Sequence, residues 1–155
     1  MRELRRFKQA LSEEECKYIL KSAPRGVLAL LGDENYPYAL PMNFVYDSGI
    51  IYFHSALEGH KIDSIKNHPK ASFCVLDEPI KEDNDWWYHI KSVIAFGKIE
   101  IITDETLRNK SLRLLGKKYF PDEAMIDEDM AKNAHRAAVI ALSVEHISGK
   151  AVKEK

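Results

Sequence analysis

The 155-residue chain has only two cysteines, Cys16 and Cys74. They lie far apart and share no metal-type spacing with each other or with a histidine pair. A disulfide framework and a zinc site are therefore not indicated, and free thiols in a reducing compartment are the expectation. Neither sign of charge is in excess: 23 Lys and Arg face 24 Asp and Glu, a formal net charge of −1. No global field favours nucleic acid or an anionic membrane. No apolar run approaches the roughly 18 residues of a membrane span. The first residues, MRELRRFKQALSEEEC, carry charge without an apolar core, so a secretory signal is not expected and the cytoplasm is. There is no Gly-x-Gly-x-x-Gly, hence no Rossmann dinucleotide site. Repeats, low-complexity tracts and linkers are absent too, and residues 1–155 read as one domain.

What the chain does have is β-structure punctuated by turns. Ser12 to Glu15 forms a capping box opening a helix over about 12–23, which must stop before Pro24. Gly26 to Leu31 reads as a strand, and Tyr38 to Tyr46 as the next. Pro41 inside the latter marks an edge, a bulge or a backbone facing a ligand. Asp47-Ser48-Gly49 turns the chain into a strand from Ile50 to His54. A helix follows over 61–67, then a strand over 70–76 and a polar loop over 77–85. Residues 86–102 are β-rich, with Gly97 suggesting a bulge. Trp86, Trp87 and Tyr88 read as core or subunit contact. Helices are predicted from Thr103 or Asp104 to about Tyr119, and from Pro121 to about Lys132. Ala137 to Val144 is the last strand, and residues 145–155 read as a polar tail. About six strands joined mostly by short turns predict a mainly β, antiparallel barrel with peripheral helices.

One loop concentrates chemistry: His54-Ser55-Ala56-Leu57-Glu58-Gly59-His60-Lys61. Ser55 offers a hydroxyl, and Gly59 lets a backbone approach closely. The amides after Gly59 open a helix, where unsatisfied donors favour an anion. Lys61 adds a positive charge, and His60 a second when protonated. This suits a phosphate dianion. It also suits an ordinary surface loop, and chemistry alone does not decide. Pro41, Met42 and Asn43 sit one hairpin upstream, where a strand backbone and the Asn43 amide can meet the edge of a flat heterocycle or simply fill a core strand. Ser92 reaches such a ring only if its strand lines the site.

These blocks together resemble the FMN-binding split-barrel family related to pyridoxamine 5′-phosphate oxidase, and most closely its nitroimidazole-reductase-like branch. The specific part is His54-Ser55-Ala56-x-x-Gly59-x-Lys61. Gly26 to Leu30, Pro37-Tyr38, Pro41 to Phe44, Ser92-Val93 with Gly97, and Ile147 with Gly149-Lys150-Ala151 support it. The resemblance implies a six-stranded antiparallel split β-barrel, a homodimer, and FMN at the subunit interface. It implies that Pro41, Met42, Asn43 and Phe44 face the flavin ring. His54 and Ser55 would lie at its ribityl-phosphate end, and Gly59, His60 and Lys61 at the phosphate. Ser92 would approach the ring from the other subunit. No catalytic side chain and no metal ligand are implied. The chain departs from the oxidases proper, which carry an Arg and a Lys on the strand matching Leu40 to Phe44 and a basic C-terminal substrate motif. Pyridoxamine phosphate is therefore not the expected substrate. The expected activity is electron transfer from NADH or NADPH through FMN to a small acceptor such as a nitroaromatic or quinone. The alternative is a non-catalytic flavin- or haem-binding protein used in storage or sensing.

Overall fold

The computed structural model describes residues 5–84 and 86–153. Expectations for Asp85 and for the last two residues of the tail fall outside the described residues. The main elements in chain order are α1 (Glu13–Ser22), β1 (Arg25–Leu31), β2 (Pro37–Asn43), β3 (Val45–Asp47), β4 (Ile50–Ala56), α2 (His60–Asn67), β5 (Lys70–Leu76), β6 (His89–Ile101), α3 (Glu105–Tyr119), α4 (Glu123–Asn133) and β7 (Ala137–Lys153). One antiparallel sheet runs β2-β1-β5-β6-β7-β4-β3 and curls into a split barrel. Its two edges, β2 and β3, are consecutive in sequence, and the split lies between them at Phe44.

Local chemistry explains most of these boundaries. The Glu15 amide donates to the Ser12 hydroxyl at 3.2 Å, and the Ser12 amide donates to the Glu15 carboxylate at 2.9 Å. Asp104 and Asp122 cap α3 and α4 in the same way, each accepting from the third helical amide. Ser48 and Gly49 both have positive φ, 49° and 86°, as a two-residue β3–β4 hairpin of the primed type requires. At Gly97 the β6–β7 register shifts, so the expected bulge is there.

The sheet's inner face carries the main core. Leu28, Phe53, Phe73, Val75, Ile140 and Leu142 are fully buried, and α1 and α2 add Cys16, Ile19, Leu20, Ile62 and Ile65. On the outer face α3 covers the β4–β7 half, where Leu112 packs on Tyr52, Val139 and Ala141. The outer face of β1, β5 and β6 carries a row across three strands, Val27, Cys74 and Ile94, with Val27 39% and Ile94 37% exposed. Among the described residues no helix is long and apolar enough to cross a membrane.

Three expectations are corrected. Among the described residues there are seven strands, not six, because the segment 38–46 breaks at Phe44. Residues 86–88 are not strand: Trp86 and Trp87 stack on each other at 3.7 Å, and a bridge between Ile80 and His89 closes the loop above them. Trp86, 73% exposed, is not core of this chain, which leaves the subunit-contact half of that expectation. The polar tail is instead the second half of β7, which pairs with β6 as far as the match of Lys153 with His89.

Candidate functional site

The expected phosphate corner stands open. Gly59 caps α2 with φ 119°, a backbone conformation that L side chains rarely adopt, and a Cβ built there would meet nothing within 4 Å. Among the described residues no side chain caps the helix. The amides of His60, Lys61 and Ile62 thus keep the unsatisfied donors that favour an anion. Lys61 is half-buried, and its Nζ lies 3.5 Å from Met42 Sδ on β2. It has no carboxylate partner among the described residues. Burial alone lowers its pKa below the ordinary lysine value. A thioether neutralises nothing, so this ammonium is electrostatically unsatisfied.

His60 is committed elsewhere. Its ring stacks on Tyr38 with centroids 4.3 Å apart, and its Nε2 accepts from the Asp33 amide at 3.3 Å. The Asp33 carboxylate lies 3.5 Å from the same nitrogen. An anion at the Gly59 corner would draw on Lys61 and the free amides before His60.

Asn43, His54 and Ser55 come together at a second place. They line a cavity of about 560 Å³ at the end of β4, walled by α3 and α4. His54 and Ser55 alternate along β4: Ser55 pairs with Ala138, and His54 pairs with Val139 on the opposite face. Pro41 is exposed on the edge strand β2, and Met42 is buried beside Lys61. Phe44 is fully buried, its ring edge-on to Phe73 at 4.7 Å. Ser92 does not reach the cavity. It pairs with Leu76 and Lys150, next to the buried Val93, and so faces the outer side of the sheet.

The sequence profile of the family described as pyridoxamine 5′-phosphate oxidase matches residues 12–151, nearly the whole chain. The chain belongs to that family. Solved structures agree in fold. A candidate 5-nitroimidazole antibiotic resistance protein from Bacteroides thetaiotaomicron matches with TM-score 0.78 at 20% identity, over 92% of this chain and 86% of that one. A flavocytochrome from Azotobacter vinelandii matches with TM-score 0.79 at 22% identity, over 98% and 73%. An FAD-binding protein from Mesorhizobium loti matches with TM-score 0.70 at 22% identity, over 94% and 98%. No curated protein matches the sequence.

In this member of the pyridoxamine 5′-phosphate oxidase family the split is latched by two residues that sequence reasoning did not single out. The Tyr119 hydroxyl accepts from the Phe44 amide at 2.8 Å and lies 2.8 Å from the Phe44 carbonyl and 2.7 Å from the Pro24 carbonyl. With one proton it donates to one of the two oxygens. The main chain of Phe44, one of the four residues expected to face a flavin, is thereby taken. Tyr119→Phe leaves the Phe44 N–H without its partner and is expected to cost about 1–3 kcal/mol in urea unfolding; a loss under about 0.5 kcal/mol would remove the latch from the stability account. Lys118 is its neighbour. Its Nζ donates to the Ala23 carbonyl at 2.7 Å and sits 3.9 Å from the Phe44 ring centroid.

Burial lowers Lys118 from 10.5 to about 8. The unfolded chain therefore binds more protons than the folded one between those values. The Lys118 contribution to unfolding free energy rises with pH across that window, as a charge buried at a cost is lost. Urea titrations at pH 7.5 and 9.5 are expected to show a gain in wild type relative to Lys118→Met; equal pH dependence would contradict the assignment.

Proposed function

We propose that the chain binds a flavin nucleotide, FMN by the monophosphate grip, and works as an oxidoreductase between a reduced nicotinamide and a small acceptor. The observation that carries this is the corner between α2 and β2. The helix start at Gly59 has no side-chain cap and open space around it, and beside it lies a half-buried lysine without a carboxylate partner among the described residues. These residues fit a phosphate ester. Lys61 and the amides after Gly59 would hold the phosphate, while Asn43, His54 and Ser55 line a separate cavity at the end of β4. Bound there, a flavin would supply the hydride and electron-transfer chemistry that no side chain of the site offers. The protein holds and orients, and leaves room for a second molecule beside the ring.

Family membership supports the reading, as do fold neighbours that include an FAD-binding protein and a flavocytochrome. A second copy of the chain would complete the site. The exposed row Val27, Cys74 and Ile94 is the surface such a copy would cover, and it would bring Ser92 toward a partner's ring. The test is the visible spectrum of the purified protein after exposure to FMN or FAD, followed by anaerobic addition of NADH or NADPH. Flavin bands that bleach with a nicotinamide and return on adding a nitroaromatic or quinone are expected. Bound flavin that neither nicotinamide reduces would leave a binder rather than a reductase. A Soret band in its place would select haem, and no uptake of any chromophore would end the proposal.

A further inference from the structure

The cavity beneath the α3–α4 hairpin has helix-side walls that the flavin reading does not use. Its walls are apolar, with Leu112, Leu115 and Phe120 from one side and Met130 from the other, and about 560 Å³ is ample for a one- or two-ring molecule. Its rim is polar and ordered. Arg136 donates to the Asn133 side-chain carbonyl, and the Asn133 amide nitrogen donates to Asp129 at 2.6 Å. Asp129 thus fixes the amide, and the amide fixes the guanidinium. Arg136 has no carboxylate partner among the described residues, so the rest of its planar fork is open to a pair of ligand oxygens.

From this we infer that the cavity is a binding site for a small planar aromatic carboxylate, its ring between the two helices and its oxygens on Arg136. The site deepens the proposed function and rests on it only for the role of acceptor. Asn43, His54 and Ser55 line the same cavity and were the residues expected beside the flavin, so a ring held there would lie next to the redox centre.

The probe is 4-nitrobenzoate, with nitrobenzene as its uncharged counterpart, measured by calorimetry on flavin-free and flavin-loaded protein. Saturable binding of 4-nitrobenzoate is expected in both forms. Arg136→Gln should weaken it about ten- to a hundredfold, the size of a lost charge-assisted contact, and leave nitrobenzene unchanged. Met130→Trp, which fills the cavity, should remove both ligands; circular dichroism and the thermal midpoint check that this variant is folded. Absence of saturable binding to wild type overturns the inference. So does equal affinity in Arg136→Gln, an exposed substitution that leaves the core intact, or unchanged binding in a folded Met130→Trp. Flavin loading is read separately by absorbance. A protein that takes no flavin but binds 4-nitrobenzoate in this way retains the site and loses the acceptor role. One that holds flavin and ignores the probe loses the cavity site alone.

Discussion

Gly97→Val is expected to yield little or no folded protein. A Cβ at position 97 would lie 1.9 Å from the Ser143 carbonyl oxygen and 2.8 Å from its carbon. Those are main-chain atoms of β7, the strand that pairs with β6 on one side and β4 on the other. No rotamer change relieves such a contact. The strands must separate, and with them the longest ladder in the molecule. The expected loss exceeds about 4 kcal/mol, a large share of the stability of an ordinary domain. Gly49→Ala is the control. Its φ of 86° strains an L residue, but the space around it is open. That variant should lose only about 1–2 kcal/mol. Soluble yield, circular dichroism and thermal unfolding read both. A Gly97→Val protein melting within a few degrees of wild type would mean that β6 and β7 do not approach as described.

That glycine was readable because a single Gly in a β-branched run has few explanations. The capping box and the Ser48-Gly49 turn were readable for the same reason: each depends on residues within three or four positions. The errors came where the deciding partner is remote. Phe44 breaks its strand because Tyr119, 75 residues away, takes its main-chain groups. Residues 145–153 look like a polar tail, yet they form β7's second half because β6 supplies the ladder. The β propensity of Trp86 to Tyr88 lost to a stacking contact between adjacent rings. The site divides along the same line. Gly59 and Lys61 are local in sequence and stand at one open corner. The contacts of His60 were not legible, because Asp33 on the β1–β2 connection and Tyr38 at the start of β2 hold its ring. The cavity was invisible because its walls come from α3 and α4 at positions that read as ordinary helix packing. Its rim did leave a trace, in Asp129, Asn133 and Arg136 at helical spacing.

Lys61→Met should move two observables in opposite directions. The substitution keeps most of the apolar stem and removes the ammonium, the group that contacts Met42. In flavin-free protein that charge is half-buried with only a thioether at 3.5 Å. Burial depresses its pKa, which means that the folded chain holds the proton less well than the unfolded one. Removing it should therefore raise the urea midpoint of the flavin-free protein at neutral pH. FMN affinity should fall instead, by about 10- to 150-fold, as expected for a lost charge-assisted hydrogen bond of about 1.5–3 kcal/mol. Lys61→Glu, which places a carboxylate against the phosphate, should abolish binding. Riboflavin, which lacks the phosphate, should bind wild type and Lys61→Met alike. The wild-type affinity for FMN should also decline as pH rises through the lowered lysine pKa, because only the protonated form attracts the dianion; in Lys61→Met that decline should be missing. A structural role for Lys61 would lower stability and flavin affinity together, and would not distinguish FMN from riboflavin. If Lys61→Met bound FMN as wild type does, the corner at Gly59 would not be where the phosphate sits.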